Sequence, residues 1–540
     1  MQNDLDVIVV GAGFSGLYMV HKMRQTGRSV RAFEAGDGVG GTWYWNRYPG
    51  ARCDVESMEY SFGFDEALEQ EWSWSERYSP QPEILAYLNH VADRFGLRDD
   101  IQLNTRIESA HYCDDAEDPA FGRWKVRTDD GGEWTARAFV TAVGCLSSAN
   151  KPVFAGLEDF EGEIHHTGEW PHEGVDFSGK RVAVIGTGSS AIQAIPIIAE
   201  EAEHLTVFQR TPNYSVPAWN APLDPALEED VKSRYRALRA RNRDQLTGFG
   251  GMLEQDPDFE SPDASLLSPD EQKLVLEEFW KVGGLFFIGA FKDLNKSGEA
   301  NEIASEFVRG KIREIVHDPE VAELLSPKDH GVACKRPCAD TNYYATYNRD
   351  DVDLVDVSGT GIERITSRGV VGGGREVEVD TIVMATGFDA MTGALNAIDI
   401  RGRGGEALRE KWSAGPITYL GLGAAGFPNL FTIIGPGSPS VLTNMVTSIE
   451  QHVEYIRDAV AALDDDGLAT IEATEAAQDE WVGWVNAVAG ATLYHGCSSW
   501  YLGANVPGKP RVFMPLPGFL DYRDHCNQVA ADGYTGFVRA

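Results

Sequence analysis

The chain has 540 residues, 43% of them hydrophobic and 24% charged, with a formal net charge of −36. This length predicts roughly two to four domains, and the acidic balance excludes nucleic acid and anionic membranes, which require a concentrated basic surface on their partner. No apolar run approaches the roughly 20 residues of a membrane span, so we expect a soluble, unexported protein.

The cysteines indicate the compartment. There are seven, an odd number spread along the chain, which is not the pattern of a disulfide framework. We therefore predict a cytoplasmic protein. Cys334 and Cys338 resemble half of a zinc site, but no second pair of ligands follows at zinc spacing, so we predict no metal.

The first predicted unit in chain order is a strand, a glycine turn and a helix at the N-terminus. The strand covers residues 6–10 and the helix residues 17–25. The turn between them has the glycine spacing of a dinucleotide site: Gly11, Gly13 and Gly16. These glycines allow a tight turn, close approach of a pyrophosphate and close helix packing, and the helix N-terminus attracts the negative charge. Glu34 ends the next strand, where an acid binds a ribose hydroxyl.

A second unit of the same kind begins at residue 181. Its strand, residues 181–185, leads into a turn with an alanine at the third position: Gly186, Gly188 and Ala191. After the following strand, 205–208, Arg210 takes the place of the acid. A base at this point suits the 2′-phosphate of a phosphorylated dinucleotide. Two such turns predict two bound dinucleotides and hence an oxidoreductase.

Further motifs resemble those of a known family. The most specific lies just before the second turn: Phe160, Gly162, His166, Trp170 and Pro171. Together with segments 40–54 and 499–508, it makes the whole chain resemble the type I Baeyer–Villiger monooxygenases. The long loop 435–445 is most similar to that of the phenylacetone and steroid monooxygenases.

The resemblance implies an α/β fold with two Rossmann-like dinucleotide-binding domains, for FAD and NADP, and an inserted helical subdomain. The strands near residues 143 and 386 each run into glycine, so the domains are predicted to be discontinuous. The FAD-binding domain covers residues 1–148 and 386–540. The NADP-binding domain covers 149–219 and 332–385, and the helical insertion covers 220–331.

The implied reaction consumes NADPH and molecular oxygen and converts aryl, cyclic or steroid-like ketones to esters or lactones through a C4a-peroxyflavin. A fixed cation in a dry site stabilises such an anionic oxygen, and arginine suits the task because it never gives up its proton. The resemblance selects Arg336 for this role and Asp54, near the flavin, to position it. His166 is expected to link the domains rather than to act as a base.

The resemblance also implies the binding residues. For FAD these are the first glycine turn, Glu34 and a group near the flavin: Gly41, Thr42, Trp43, Trp45, Asp54 and Tyr60. For NADP they are the second glycine turn with Ser189, Gln193, Arg210, Thr211, Lys335 and Trp500. The ketone pocket is expected to include Val55, Ser440, Leu442 and Met445.

Several alternatives remain open from the sequence. The same cofactors would serve a heteroatom-oxygenating flavin monooxygenase or an NADPH oxidase. A disulfide reductase also carries two dinucleotide turns, but Cys53 has no cysteine partner in the first domain. A non-enzymatic flavin redox sensor is a further alternative. We expect a monomer or a weak homodimer.

Overall fold

The computed structural model describes residues 3–251, 260–510 and 518–540. The strands in these ranges are β1 (Asp4–Val10), β2 (Val30–Phe33), β3 (Ile101–Gln102), β4 (Ile107–Tyr112), β5 (Trp124–Thr128), β6 (Glu133–Thr141), β7 (Glu163–His166), β8 (Arg181–Ile185), β9 (His204–Gln209), β10 (Ser215–Pro217), β11 (Cys338–Asp340), β12 (Val352–Asp356), β13 (Ile362–Ile365), β14 (Gly369–Gly372), β15 (Arg375–Glu378), β16 (Thr381–Met384), β17 (Asp399–Arg401), β18 (Leu430–Thr432), β19 (Ile471–Ala473) and β20 (Phe537–Arg539).

The α-helices in the same ranges are α1 (Phe14–Gln25), α2 (Thr42–Trp45), α3 (Glu66–Glu71), α4 (Gln81–Arg94), α5 (Ser189–Glu201), α6 (Pro225–Ser233), α7 (Tyr235–Arg243), α8 (Pro269–Val282), α9 (Gly298–Ile315), α10 (Pro319–Leu325), α11 (Tyr343–Thr346), α12 (Gly393–Asn396), α13 (Leu408–Lys411), α14 (Met445–Asp465), α15 (Glu475–Gly490) and α16 (Phe519–Ala531). None of these helices is both long and apolar enough to cross a membrane.

Two parallel-rich sheets organise the molecule. The first has the order β17-β4-β5-β6-β1-β2-β3, with β18 beside β6, and its centre is the parallel set β6-β1-β2. The second, β12-β9-β8-β16-β7, is parallel throughout. The central strands β1 and β8 are buried runs of valine and isoleucine, as expected of strands covered on both faces. This confirms the predicted α/β class with two Rossmann-like units.

Helices fill the chain between the paired short strands β10 and β11. Helices α6 to α10 lie in this interval, and α8 and α9 pack into the core of the second sheet. Helices α6 and α7 begin this interval, and Arg234 between them has φ −124° and ψ 17°, outside the helical region.

The chain crosses between the two sheets twice, and the crossings touch. The backbone N–H of Asn150 donates to the carbonyl of Gly387 at 2.9 Å, and the Thr386 hydroxyl donates to the carbonyl of Asn150 at 2.7 Å. A third contact joins the two units near the site, where the Tyr48 hydroxyl donates to Gln193 Oε1 at 2.8 Å. The two glycine turns are thereby fixed relative to one another through short, direct contacts.

A buried histidine makes stability depend on pH. His452 of α14 is fully buried, and its Nδ1 accepts the backbone N–H of Ile434 at 2.9 Å. Burial lowers its pKa from 6.5 to about 3. Below pH 6.5 the imidazole of His452 is therefore protonated in the unfolded chain but neutral in the folded chain. The free energy of unfolding falls by about 1.4 kcal/mol for each pH unit below 6.5.

The first prediction concerns this histidine. We expect His452→Asn, whose Oδ1 can still accept the Ile434 N–H, to lower the Tm at neutral pH, because it leaves a cavity. Between about pH 7.5 and about pH 5.5, however, its Tm should fall less than that of the wild type, because the titrating group is gone. Thermal unfolding of both proteins at the two pH values measures this. An equal fall in both would show that His452 is not the source of the dependence.

Candidate active site

The first glycine turn leaves room for an anion at the start of α1. Gly11 has φ +102°, and a Cβ there would lie 2.7 Å from the carbonyl oxygen of Ala142. A Cβ on Gly13 would lie 3.2 Å from the Cα of Gly41, so the two segments approach as bare backbone. Helix α1 has no side-chain cap and no acid in its first turn. Its free N–H groups suit a pyrophosphate.

Glu34 stands at the end of β2 beside this turn. Its buried carboxylate accepts the backbone N–H of Ala12 through Oε2 and that of Gly36 through Oε1, both at 2.9 Å. Each oxygen keeps a second lone pair for a further donor. The arrangement suits two hydroxyl groups of a ribose, which is the role predicted for Glu34.

The aromatic residues that were predicted to lie near the flavin, Trp43, Trp45 and Tyr60, divide into two groups. Trp43 is buried against Tyr60, with Nε1 donating to the tyrosine hydroxyl at 3.2 Å. Trp45 instead packs edge-on against Tyr44, with ring centroids 4.9 Å apart. Thr42, which begins α2, is exposed. The structure thus joins Trp43 and Tyr60 and places Trp45 in a separate contact.

The second glycine turn repeats the features of the first. A Cβ on Gly186 would lie 2.5 Å from the carbonyl oxygen of Ala385, whereas one on Gly188 would meet nothing within 4 Å. Helix α5 begins at Ser189, again without a side-chain cap or an acid in its first turn. The open space at Gly188 and the free N–H groups fit a second pyrophosphate.

Two basic residues lie beyond this turn. Burial lowers the pKa of Lys335, and its neighbours act in both directions, Asp329 raising it and Arg210 lowering it. Thr211 lies beside the second glycine turn, because its carbonyl accepts the hydroxyl of Thr187, which stands between Gly186 and Gly188, at 2.8 Å. In the part of the chain that the structure describes, neither Arg210 nor Lys335 has a carboxylate within ion-pair distance. Neighbouring cations that form no ion pair suit an anionic ligand such as a phosphate.

Arg336 and Asp54 form a two-pronged ion pair. Arg336 Nε donates to Asp54 Oδ2 at 2.6 Å and Nη2 donates to Oδ1 at 2.9 Å. The third nitrogen, Nη1, donates to the carbonyl of Val441 at 2.6 Å. Burial alone would lower the pKa of the guanidinium, but the Asp54 carboxylate and then Tyr501 raise it well above its ordinary value. The charge on Arg336 is therefore permanent and its orientation fixed.

An apolar cluster adjoins this pair. Its buried members are Cys145, Ala390, Met391, Val441 and Tyr501, and its partly buried members include Leu146, Leu442, Met445, Tyr494 and Trp500. Ser440 reaches it through its hydroxyl, which lies 3.7 Å from the sulfur of Met391. Val55 belongs to the core of the first sheet, against which Met445 also packs. The cluster gives the guanidinium a largely apolar neighbour on one side.

Three residues of the apolar cluster were not predicted from the sequence: Met391, Tyr494 and Tyr501. Met391 follows β16 and the Gly387 turn, and the ends of parallel strands are where ligands bind in such sheets. Tyr501 directly follows the predicted Trp500. The position of Met391 after a strand end was therefore a usable signal.

His166 lies at the crossings between the sheets. Its Nδ1 accepts the backbone N–H of Gly168 at 3.0 Å, so the proton is on Nε2, which donates to the carbonyl of Asn150 at 3.2 Å. Burial lowers its pKa. Both nitrogens are thus engaged with the backbone, which leaves no free lone pair for base catalysis. Trp170, in the same motif, is buried in the core of the second sheet.

The C-terminal segment that carries Trp500 is fastened to the second crossing. Asn505 Nδ2 donates to the carbonyl of Phe388 at 2.7 Å, and Lys509 forms an ion pair with Asp389. Trp500 packs on Tyr501 with ring centroids 4.5 Å apart. The segment therefore lies over the apolar cluster.

Two dinucleotide turns on adjoining sheets, with a partly buried arginine beside an apolar cluster, define a flavoprotein oxidoreductase. Comparison with known proteins gives the family. Residues 5–217 match the family model described as flavin-binding monooxygenase-like. A Baeyer–Villiger monooxygenase of Pseudooceanicola batsensis is 44% identical, and the alignment covers 99% of this chain and 96% of that protein.

Two further relatives are similar over almost the whole length. A phenazine N-monooxygenase of Lysobacter antibioticus is 40% identical over 99% of this chain and 96% of its own. A solved structure of an oxidised steroid monooxygenase bound to NADP is 52% identical, covers 99% of both chains and has a TM-score of 0.93. The chain belongs to the Baeyer–Villiger monooxygenases, which are FAD- and NADPH-dependent flavoproteins, as the sequence predicted.

Proposed function

We propose that the protein inserts one oxygen atom of O₂ beside the carbonyl of a ketone, giving an ester or a lactone. The observation that carries this proposal is the ion pair of Arg336 and Asp54, which is hydrogen-bonded to Val441 of the apolar cluster. When bound, FAD would take up electrons from NADPH and activate O₂.

Arg336 supplies a fixed positive charge where negative charge develops on oxygen. Its planar fork is held by both oxygens of Asp54, so no reorganisation is needed during the reaction. A third hydrogen bond, to the carbonyl of Val441, sets the plane of the guanidinium. Because the pKa of Arg336 is raised, it stabilises an anionic oxygen without protonating it.

The apolar cluster excludes water and accepts the body of the ketone. Leu442, Met445 and Met391 present aliphatic and thioether groups to it, and Tyr501 and Trp500 present aromatic rings. Such a lining binds apolar ligands through burial of their surface. Aryl, cyclic and steroid-like ketones fit this chemistry, and the similarity to a steroid monooxygenase supports the last class.

The test of this function uses purified FAD-loaded protein, NADPH and ¹⁸O₂. We expect phenylacetone, progesterone or cyclohexanone to stimulate NADPH consumption and to give an ester or lactone with one labelled oxygen by mass spectrometry. The 40% identity with a phenazine N-monooxygenase favours a second candidate, oxygenation of nitrogen. A labelled N-oxide from phenazine with no labelled ester would support that candidate and contradict ours.

The second prediction concerns the choice of NADPH over NADH. We propose that Arg210, Thr211 and Lys335 bind the 2′-phosphate, and a hydrogen bond to a charged group contributes about 1.5 to 3 kcal/mol. Lys335→Ala and Arg210→Ala should therefore each raise the KM for NADPH by about 10- to 150-fold. The KM for NADH should change little, since NADH lacks this phosphate.

Steady-state kinetics with both nucleotides measures this effect. Arg364→Ala, which removes an exposed arginine from β13, is the matched control and should leave both KM values unchanged. Equal increases in KM for NADPH and NADH would contradict the assignment of the two residues to the 2′-phosphate.

We also propose a cytoplasmic location and a monomer or weak homodimer. All seven cysteines are free thiols, which supports a reducing compartment. Light scattering of the purified protein over a range of concentrations tests the oligomeric state.

A further inference from the structure

Two of the seven cysteines lie against one another beside the proposed site. Cys334 precedes Lys335 and Arg336, and Cys497 precedes Trp500 on the C-terminal segment. Both are buried, with 6% and 8% of their surface exposed. Because they are far apart in sequence, a bond between them would join two distant segments of the chain.

The geometry pairs the two thiols. The sulfur of Cys334 lies 3.9 Å from the carbonyl oxygen of Leu493, and the sulfur of Cys497 lies 3.6 Å from the same oxygen. The shared carbonyl oxygen brings the two thiols close together. Within the described ranges, no other two cysteines share an acceptor in this way.

The surroundings favour a reactive thiol at Cys334. The hydrogen bond with Cys497 is the main cause that lowers the pKa of Cys334, and the ammonium of Lys335 acts in the same direction. The same hydrogen bond raises the pKa of Cys497. A thiolate is the nucleophilic form of cysteine, and here a second thiol lies beside it as a resolving partner.

We propose that Cys334 and Cys497 are a redox modification site, which hydrogen peroxide oxidises to a reversible disulfide that ties the Trp500 segment to the Arg336 loop. Nothing in the proposed oxygen insertion uses either sulfur. Formation of the disulfide is independent of the proposed function, whereas its effect on turnover rests on that function.

The chemistry balances with hydrogen peroxide as the only oxidant. The Cys334 thiolate attacks one peroxide oxygen, the O–O bond breaks, and the leaving hydroxide takes up a proton to become water, which leaves a sulfenic acid. The Cys497 sulfur then attacks the Cys334 sulfur, the S–O bond breaks, and a second water leaves with the Cys497 proton. Oxidation of NADPH by O₂ without oxygen insertion produces the peroxide.

The disulfide would restrain a segment that is otherwise held by non-covalent contacts. Beyond Trp500, the segment is fastened by Asn505 to Phe388 and by Lys509 to Asp389. A covalent link at Cys497 would fasten its other end to the loop of Lys335, one of the proposed nucleotide-binding residues. The link would oppose opening of the segment beside this residue, and opening steps often limit turnover. We expect oxidation to slow the enzyme.

The test begins with the FAD-loaded protein and hydrogen peroxide, followed by removal of the oxidant. Intact-mass measurement should show a loss of about 2 Da, from two hydrogens, and non-reducing peptide mapping should join Cys334 to Cys497. Thiol titration of the denatured protein should fall from the seven thiols of the sequence by two. Cys334→Ser and Cys497→Ser should each prevent the link, and Cys113→Ser, at a buried cysteine in another part of the fold, should not.

Activity is measured on the same samples. Oxidised wild type should turn over at least about fivefold more slowly than reduced wild type, a dithiol reductant should restore it, and the two serine variants should be insensitive. No Cys334–Cys497 link, or a link between other cysteines, would overturn the proposed site. A mapped Cys334–Cys497 disulfide without any change in turnover would contradict the claim that the disulfide slows the enzyme by restraining the Trp500 segment. If ketone oxidation is absent from reduced protein too, the proposed function fails while the mapped disulfide stands.

Discussion

Arg336→Ala is expected to abolish ester formation while NADPH consumption continues. The structure fixes the guanidinium against the apolar cluster through hydrogen bonds to Asp54 and Val441. Removing one preorganised donor from an oxyanion site costs about 10²- to 10³-fold in rate, and removal of a full charge from a dry site costs at least as much. We therefore expect the ester to fall at least about 1,000-fold.

Product analysis by mass spectrometry, with NADPH and hydrogen peroxide measured in parallel, tests this prediction. In the variant, oxidation of NADPH should release hydrogen peroxide in place of the ester. Arg336→Lys is the matched control, because it keeps a positive charge but cannot bind both oxygens of Asp54. It should retain a small rate of ester formation, above that of the alanine variant. Wild-type ester yield from Arg336→Ala would refute the role given to the arginine.

Asp54→Ala has the second largest expected effect. It leaves a partly buried guanidinium without its partner. Breaking a fully buried pair destabilises a fold by about 3 to 5 kcal/mol, and we expect a smaller loss for this pair. It also frees the side chain to rotate, since two of its three hydrogen bonds go to Asp54. We expect the ester rate to fall at least about 100-fold, because misplacement of a catalytic group by about 1 Å costs that much, together with a lower Tm.

Asp54→Asn separates these two effects. Its amide oxygen can still accept one hydrogen bond from Arg336, so the orientation is partly kept while the charge is lost. The rate and Tm of this variant should lie between those of wild type and Asp54→Ala. Removal of Asp93, whose pair with Arg98 is exposed, is the control for loss of an ion pair and should change neither quantity appreciably. An unchanged ester rate in Asp54→Ala would contradict a positioning role.

The local parts of the fold were predictable because short-range physics fixes them. The strand before each turn is a buried apolar run, the glycines are required by close backbone contacts at Ala142 and Ala385, and Glu34 ends the strand that follows. The helix α8 begins at Pro269 and is followed by Gly283, the residue types expected at the start and just after the end of a helix.

The contacts that make the site come from long-range packing, which periodicity and spacing do not encode. Asp54 and Arg336 are separated by 282 positions, and the arginine also reaches Val441 on a third segment. Only the family resemblance brought them together before the structure. Tyr501 and Met391 had no such motif, and the split of Trp45 from Trp43 depends on side-chain packing within one helical turn. The pairing of Cys334 with Cys497 has the same origin.

The most direct test of the account is a crystal structure of the protein with FAD and NADP⁺ bound. We predict that the flavin pyrophosphate lies at the N-terminus of α1 and the nicotinamide nucleotide at that of α5. The Arg336 guanidinium, still paired with Asp54, should contact the flavin ring on the side of the apolar cluster. A guanidinium that points away from the flavin ring, with the apolar cluster on the other face of that ring, would contradict this prediction.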